Sequence, residues 1–270
     1  MISVICPCYN SEKYLTELLD SLYNQTKYFS NFEIIFIDDG STDNTIQLLE
    51  NNQKRFLHKS IQYTIHRQDH KGPGAARNSG IKLAKYRYIA FIDSDDIWYA
   101  DKLSICSNEM IQTNYSYNVY THNELFRRKD NDNNKIIKNG LTGDNISKKL
   151  YIKNCFSTSA IIIERDLLID NNYFDERLMS SQDYDMWLKI SQKMKVCIID
   201  KVLGEYIENP NGITARSYFI RVLDQLTIAI RYKHYVSYPR FIYKVSKIVF
   251  SKQWFYSLIN IILNKKEHNY

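Results

Sequence analysis

The sequence lacks long hydrophobic runs and is poor in glycine and proline. Its 270 residues include 8 Gly and 4 Pro, against 22 Tyr, 12 Phe and 3 Trp. Such a balance excludes a disordered or low-complexity chain, because those chains are poor in aromatic residues. No apolar stretch approaches the roughly 20 residues that cross a bilayer. If a core strand begins at Ile2, there is no room for a signal peptide, so we expect a cytoplasmic globular protein.

Cysteine is also scarce. The chain has five, scattered and odd in number, and two of them form Cys6-x-Cys8 in an apolar run too straight for the thiols to bridge easily. We expect reduced core residues rather than a disulfide framework. A zinc site needs a second Cys or His pair at ligand spacing, and the six His do not supply one.

Positive charge is concentrated at the carboxyl end. Residues 216–270 carry ten Lys/Arg against two acids, whereas residues 1–215 carry 26 against 28. The tail also has twelve aromatic residues and apolar residues at helical spacing. Basic amphipathic helices with aromatic residues suit an anionic membrane surface. They could equally pack on the rest of the protein, and the sequence leaves both open. Nucleic acid is a poorer partner, because the remaining chain is slightly acidic and no binding fold is present.

The first hundred residues alternate between buried strands and amphipathic helices. Apolar β-branched runs begin at Ile2, Phe32, Ile61 and Tyr88, with Pro7 expected to end the first. This βαβαβαβ pattern predicts an α/β fold with a doubly wound, mostly parallel sheet. Ligands of such sheets bind at the carboxyl ends of the strands. Three polar loops should meet there, at residues 7–10, 38–43 and 93–96.

The third of these loops is the most acidic. Asp93, Asp95 and Asp96 place three carboxylates within four residues directly after an apolar strand. Asp93 and Asp95 project to the same side of an extended strand end. One or two carboxylates, completed by phosphate oxygens and water, are enough to hold Mg²⁺ or Mn²⁺. The alternative is that Asp93 and Asp95 cap a following helix, expected over residues 97–112. Asp96 is expected either to cap that helix at Ile97 or to support the residues of the site.

The remaining polar residues of this edge each have two interpretations. Asp39 can bind a base or ribose, or serve a tight turn. Tyr9 can stack on a nucleobase or lie in the core. Arg77, one turn into a helix that follows a Gly-rich turn, can reach a phosphate or form a surface ion pair. The turn has neither the dinucleotide-binding nor the P-loop spacing.

Five segments in one order resemble the family 2 glycosyltransferases with the GT-A fold. They are ISVICPCYN (2–10), IDDGSTD (37–43), GAARNSG (74–80), FIDSDDIW (91–98) and QDYDMWL (182–188). The resemblance covers residues 1–215. It implies a GT-A catalytic domain with a nucleotide-sugar-binding half (1–100) and an acceptor half (101–215), followed by a helical tail (216–270).

The resemblance also implies an activity and a set of site residues. The activity is metal-dependent transfer of a sugar from a nucleotide-diphosphate sugar, with inversion at the anomeric carbon. UDP is favoured because it is common among members of the family. Pro7, Tyr9, Asp39, Arg77, Asp93 and Ser94 would bind the donor, Asp95 would ligate Mn²⁺ or Mg²⁺, and Asp183 would be the catalytic base. Asp183 could otherwise cap its helix, and Asp185 is the substitute if it is not the base.

The acceptor implied by similar bacterial enzymes is a saccharide, in particular a lipid-linked oligosaccharide of surface polysaccharide synthesis. A peripheral place on the inner face of the cell membrane would suit it. The sequence departs from the family at Gln182, where many relatives carry Glu, and at Ile207 and Asn209, which replace basic residues. An inert nucleotide-sugar-binding or membrane-associated module is the alternative function. A sugar nucleotidyltransferase would need a Gly-rich loop after the first strand. The sugar, the linkage and the oligomeric state do not follow from the sequence.

Overall fold

The computed structural model describes residues 1–128, 134–209 and 218–250, which fold around a nine-stranded sheet. The strands follow the order β3-β2-β1-β4-β8-β6-β9-β5, and β7 pairs with β6. They are β1 (Ile2–Cys8), β2 (Phe32–Asp38), β3 (Gln62–Arg67), β4 (Tyr88–Phe91), β5 (Ile97–Trp98), β6 (Val119–Arg127), β7 (Lys135–Ile137), β8 (Ile161–Glu164) and β9 (Val196–Ile207).

The helices lie on both faces of this sheet. They are α1 (Glu12–Gln25), α2 (Thr45–Leu57), α3 (Pro73–Leu83), α4 (Lys102–Gln112), α5 (Ile146–Ile152), α6 (Arg165–Ile169), α7 (Gln182–Ile190), α8 (Tyr218–Arg231) and α9 (Tyr238–Val249). Alternate residues of β1 belong to different cores: Val4 packs with α1, α2 and α4, whereas Ile5 packs with α3 and α5–α9. The predicted doubly wound α/β architecture is confirmed.

The first half of the sheet is parallel throughout. β1 pairs with β2 over its full length and with β4 up to the pair Ile5↔Phe91. The expectation that Pro7 ends β1 is wrong, because β1 continues to Cys8 beside β2. Pairing with β4 has stopped by that point, so the missing N–H of Pro7 costs no ladder hydrogen bond.

The second half of the sheet is mixed. β8 runs antiparallel between β4 and β6, while β6 and β9 pair in parallel from Val119↔Val196 onwards. The antiparallel strand β8 joins the two halves into one sheet. β7 pairs with β6 in antiparallel register, from Glu124↔Ile137 to Phe126↔Lys135.

The helix expected over residues 97–112 begins later. Ile97 and Trp98 form the two-residue strand β5 against Glu205 and Gly204 of β9, and α4 starts at Lys102. At Gly204 an added Cβ would lie 2.7 Å from the Ile97 carbonyl oxygen, so only glycine permits this pairing. The interpretation of Asp96 as a cap of a helix at Ile97 is therefore wrong.

The described part of the tail packs on the α3 face of the sheet. Ile228 and Ala229 of α8, Tyr232 just after it, and Ile248 of α9 are buried in that core. Tyr151 donates a hydrogen bond to the Ala229 carbonyl oxygen over 2.8 Å. Residues 251–270, where the tail's last apolar stretch lies, are outside the described residues. Among the helices of the described ranges, none has the length and apolarity needed to span a bilayer.

Candidate active site

The predicted residues Arg77 and Asp93 meet at the carboxyl edge of the sheet. Arg77 points from α3, and its Nη2 donates to Asp93 Oδ1 over 2.6 Å. The Arg77 side chain is only 5% exposed, whereas that of Asp93 is 31% exposed. The pair therefore presents its acidic side to solvent. A buried Arg beside a carboxylate keeps positive charge where a diphosphate would arrive.

Two hydrogen bonds from Ser159 shape the turn that follows β4. Ser159 Oγ accepts from the Asp93 N–H over 3.0 Å and donates to Asp96 Oδ2 over 2.5 Å. Asp96 is buried and also accepts from the Ile207 N–H. Burial is the main reason that the pKa of Asp96 is raised well above its ordinary value. Asp96 thus anchors the turn from inside, while Asp93 and Asp95 remain at its surface.

Asp95 faces the last described residues of the segment after β9. Asn209 Nδ2 donates to Asp95 Oδ2 over 2.8 Å. Burial and the neighbouring Asp93 raise the pKa of Asp95, against the lowering effect of the Asn209 hydrogen bond. Asn209, which replaces a basic residue, therefore binds the acidic turn itself. Two carboxylates that disfavour each other's charge form a donor set that a divalent cation would neutralise.

The chemistry of this donor set fits Mg²⁺ or Mn²⁺. Both are hard cations that prefer oxygen ligands and keep sites for phosphate and water. Within the described ranges, no group of three or more His, Cys, Asp or Glu side chains is arranged to hold a metal. A metal site at Asp93 and Asp95 would thus need further oxygen ligands from water or from a bound ligand.

The loop after β1 offers an aromatic platform. Tyr9 is 44% exposed and stacks on His70, with ring centroids 4.0 Å apart. Pro7 lies just before it, in register with Ile37 of β2. Of the two interpretations of Tyr9, the core position is excluded by this exposure. An exposed stacked ring is available to a nucleobase.

Asp39 lies at the same edge but is buried. Its Oδ1 accepts from Gln68 Nε2 and the Lys71 N–H, and its Oδ2 accepts from the Gly72 N–H. His70 Nδ1 lies 2.8 Å from Oδ2. Asp39 therefore folds residues 68–72 against the end of β2 and holds the ring on which Tyr9 stacks. Direct contact with a base stays a prediction.

Ser94 connects the two loops. Its hydroxyl lies 2.8 Å from Ser11 Oγ, which in turn accepts the Tyr9 N–H over 3.1 Å. Ser11 precedes α1 but makes no side-chain cap of that helix. The Tyr9 platform and the acidic turn are thereby held in one unit.

Asp183 approaches the sheet edge from α7, far along the chain from the other site residues. It lies in the first turn of α7, after Ser181 in a left-handed conformation (φ 56°). Asn154 Nδ2 donates to Asp183 Oδ2 over 3.1 Å. Burial raises the pKa of Asp183, Arg77 lowers it and Asp93 raises it. Arg77 and Asp93 are thus near enough to influence this carboxylate, and the structure brings both halves of the predicted site together.

Asp185 has a different role from Asp183. Its side chain is fully buried and receives Arg231 Nη1 over 2.5 Å and the Tyr232 hydroxyl over 3.1 Å. Both partners belong to the end of α8 and the residue after it. Asp185 holds the tail on α7 and is no substitute for Asp183.

Several polar residues around the site escaped sequence reasoning. Ser159 and Asn154 each reach a site residue from a distant segment, and no motif marks them. Asn209 was noted only as a departure from the family, and its contact with Asp95 was not expected. Lys102 is fully buried behind the turn, and its Nζ donates to the Ser159 carbonyl oxygen over 2.7 Å. Burial lowers the pKa of Lys102 to about 7. A lysine at a helix start gives no sign of this in the sequence.

A cleft of about 580 Å³ lies elsewhere, between α3, the turn at residues 172–177 and the side chains of Lys189 and Arg231. None of the predicted site residues lines it. The carboxylates, the arginine and the aromatic platform instead converge at the sheet edge.

Comparison with known proteins gives a consistent result. Residues 3–171 match the family described as Glycosyl transferase family 2. The chain is 30% identical over 267 residues to the UDP-Glc:alpha-D-GlcNAc-diphosphoundecaprenol beta-1,3-glucosyltransferase WfgD of Escherichia coli, covering 88% of this chain and 96% of that protein. Uncharacterized glycosyltransferases of three Rickettsia species are 32–36% identical, but the chain spans only 28–32% of their length.

Two solved structures share the fold. TarS 1-349 of S. aureus in complex with UDP-GlcNAc matches with a TM-score of 0.65 and 22% identity, over 93% of this chain and 73% of that one. The mannosyltransferase PcManGT of Pyrobaculum calidifontis, in complex with GDP-Man and Mn²⁺, matches with a TM-score of 0.68 and 17% identity. That match covers 94% of this chain and 71% of the other.

Proposed function

Because the chain belongs to glycosyl transferase family 2 and is a GT-A glycosyltransferase, we propose that it transfers a sugar from a UDP-sugar to a lipid-linked saccharide with inversion. The observation that carries the mechanism is the convergence of Arg77, Asp93 and Asp183 from three separate segments. The donor class is supported by UDP-Glc in the name of one relative and UDP-GlcNAc in a similar structure.

The donor would lie along the sheet edge with its base on Tyr9 and its diphosphate toward the acidic turn. Pro7, Asp39 and Ser94 shape this path through the contacts described above, and Arg77 supplies positive charge beside Asp93. Asp93 and Asp95 would hold Mg²⁺ or Mn²⁺, which when bound neutralises charge on the leaving diphosphate. The Mn²⁺ complex of a protein with the same fold supports this.

Asp183 acts on the acceptor. Its carboxylate takes the proton of the acceptor hydroxyl as the hydroxyl oxygen bonds to the anomeric carbon. The bond from that carbon to the diphosphate oxygen breaks, and the electron pair leaves with the nucleoside diphosphate. Attack opposite to the leaving group inverts the anomeric centre. A raised pKa suits Asp183 to this role, because a more basic carboxylate accepts a proton more readily.

Transfer assays with Asp183→Asn and Asp95→Asn test this scheme. The donors are UDP-glucose and UDP-N-acetylglucosamine, and the acceptor is GlcNAc-diphosphate on a short lipid. We expect Asp183→Asn to lose at least about 100-fold in kcat with UDP binding retained, and Asp95→Asn to need more Mn²⁺ for half-maximal rate. Asp166→Asn is the matched control, an exposed acid in the first turn of α6. Undiminished turnover in Asp183→Asn refutes the base assignment, and an inert wild type supports a binding module instead.

The identity of the acceptor is also proposed from similarity. The diphosphoundecaprenol in the name of the relative from E. coli supports a lipid-linked saccharide. An acceptor of that kind would bring the enzyme to an anionic membrane surface through its tail. In support, α8 exposes Phe219, Leu223 and Ile230, and Tyr238 and Ile242 of α9 are also exposed.

Vesicle binding tests the membrane proposal. The variant Arg240→Glu/Lys247→Glu reverses two exposed charges of α9 and should release the protein from vesicles containing anionic lipid. The control Lys27→Glu/Lys59→Glu makes the same change at exposed sites outside the tail. Equal sedimentation of both variants with such vesicles would refute the proposal. Transfer to the soluble acceptor should be unaffected in both.

A further inference from the structure

Asn154 lies in the loop after α5 and contacts the carboxylate that the mechanism uses. Its Nδ2 donates to Asp183 Oδ2 over 3.1 Å, and its Oδ1 accepts the Phe156 N–H over 3.1 Å. Phe156 is buried in the core, so this second bond ties the amide to a fixed point. No other side chain in the described ranges is hydrogen-bonded to Asp183.

The two bonds leave only one orientation of the amide. If the amide were flipped, the Phe156 N–H would face an NH₂ group and the Asp183 carboxylate would face an oxygen. Both contacts would then be repulsive. The loop itself is fixed near Asn154, since the Gly140 N–H donates to the Cys155 carbonyl oxygen over 2.6 Å. Asn154 is therefore a rigid donor aimed at one oxygen of Asp183.

We propose that Asn154 is the positioning residue of the catalytic base: it holds Asp183 by one oxygen in a single orientation, ionised and directed at the acceptor hydroxyl. This inference rests on the proposed role of Asp183. Asn154 does not touch the reacting atoms, so its effect is on the orientation and ionisation of the base.

The ionisation of Asp183 depends on groups from every segment around it. Arg77 of α3, the Tyr184 N–H of α7 and Asn154 favour the carboxylate, whereas Asp93 and burial disfavour it. The phenol groups of Tyr184 and Tyr206 are near enough for Asp183 to raise their pKa values, and both stay neutral in the range of interest. Removing the Asn154 donor thus raises the pKa of Asp183, since a hydrogen bond to the charged form is lost.

The pH dependence of kcat/KM for sugar transfer reports how removing Asn154 changes the pKa of Asp183. A base must be ionised, so activity falls as pH drops through its pKa, and a raised pKa moves this acid limb to higher pH. In Asn154→Ala we expect a displacement of about one pH unit, because loss of one hydrogen bond to a charged group changes ionisation about tenfold. KM for the UDP-sugar should be unchanged, since Asn154 has no contact with the donor edge.

Asn154→Asp separates positioning from a merely structural role. An aspartate can still accept the Phe156 N–H and so keeps the loop, but it presents a like charge to Asp183 in place of a donor. The acid limb should therefore move further than in Asn154→Ala, whatever the stability of the alanine variant. Asn171→Ala is the matched control. Among the described residues, the Asn171 side chain bonds the Leu167 carbonyl oxygen and Lys193, both away from Asp183.

The outcomes distinguish this inference from the proposed function. If Asp183→Asn is inactive but both Asn154 variants keep the wild-type acid limb, the positioning role is overturned while the base assignment stands. If Asp183→Asn stays active, the base assignment itself fails. An acid limb displaced in both Asn154 variants, and not in Asn171→Ala, supports the inference.

Discussion

Arg231 should contribute far more to stability than Arg177, although both bind Asp175. Arg231 contacts Asp175 over 2.9 Å and the fully buried Asp185 over 2.5 Å, and its side chain is 30% exposed. Arg177 makes its ion pair with Asp175 at 83% exposure. Breaking a buried ion pair by removing one partner costs about 3 to 5 kcal/mol, because the remaining charge stays buried. An exposed pair contributes less than about 1 kcal/mol.

The comparison of Arg231→Met with Arg177→Met measures this difference. In urea unfolding followed by circular dichroism, we expect Arg231→Met to lose about 3 kcal/mol, the lower limit because Lys189 remains 3.9 Å from Asp185. With a slope of about 3 kcal/mol per molar, the midpoint falls by about 1 M. Arg177→Met should leave the urea midpoint almost unchanged, because its ion pair with Asp175 is exposed to solvent.

The pH dependence gives a second criterion. Burial raises the folded-state pKa of Asp185, so this carboxyl favours folding when protonated and opposes it when ionised. Loss of Arg231 removes the charge that most opposes this rise. The loss in unfolding free energy caused by Arg231→Met should therefore be greatest at about pH 8 and smaller at about pH 5. Arg177 and Arg231 lower the pKa of Asp175, which stays ionised throughout this window.

Either of two results would refute the reasoning. One is an equal loss of stability in both variants, which would mean that the buried contact adds nothing to the exposed one. The other is a loss in Arg231→Met that does not change with pH, which would mean that Asp185 does not carry the uncompensated charge.

Three further changes test other parts of the structure. Gly80→Ala should cost about 2 kcal/mol in thermal unfolding, because the new Cβ would lie 2.4 Å from Ile5 Cγ2; Ile5→Ala in the same chain should restore part of it. Ser159→Ala should cost about 2 kcal/mol, since buried Asp96 loses a donor; an unchanged urea midpoint contradicts this. Tyr9→Ala should weaken UDP binding about threefold to tenfold in calorimetry, whereas Tyr9→Phe should not; equal affinities would exclude the stacking role.

The sequence predicts the first half of the fold well because three of its four strands, β1, β2 and β4, are buried on both faces. β1 and β2 are continuous apolar runs, and the helices between them have clear amphipathic spacing. The positions of the site residues at the carboxyl edge of the sheet follow from this topology, since the ends of parallel strands meet at one edge. Arg77 and Asp93 could therefore be expected near each other before any contact was known.

The rest of the sheet was harder to predict, because its strands depend on distant partners. The two-residue strand β5 exists only by pairing with β9, more than a hundred residues later. Its local sequence follows three acids and precedes a true helix, so helical spacing extended the prediction back to Ile97. Asn154 and Ser159 were missed for the same reason, because a single polar residue acquires its role only from what it contacts after folding.

The inward face of α8 connects the tail to the segment that carries Asp183, the proposed base, while its outward face meets solvent. Leu223 and Ile230 face solvent, while Arg231 and, through Ser180, Asp224 hold the segment around α7 that carries Asp183. A truncation before α8 would thus remove buried core and the partner of Asp185 together with any membrane-binding surface. Loss of activity in such a truncation says nothing about membranes. Substitutions confined to the exposed faces of α8 and α9 leave the α7 contacts intact, and they can therefore separate membrane binding from support of the proposed base.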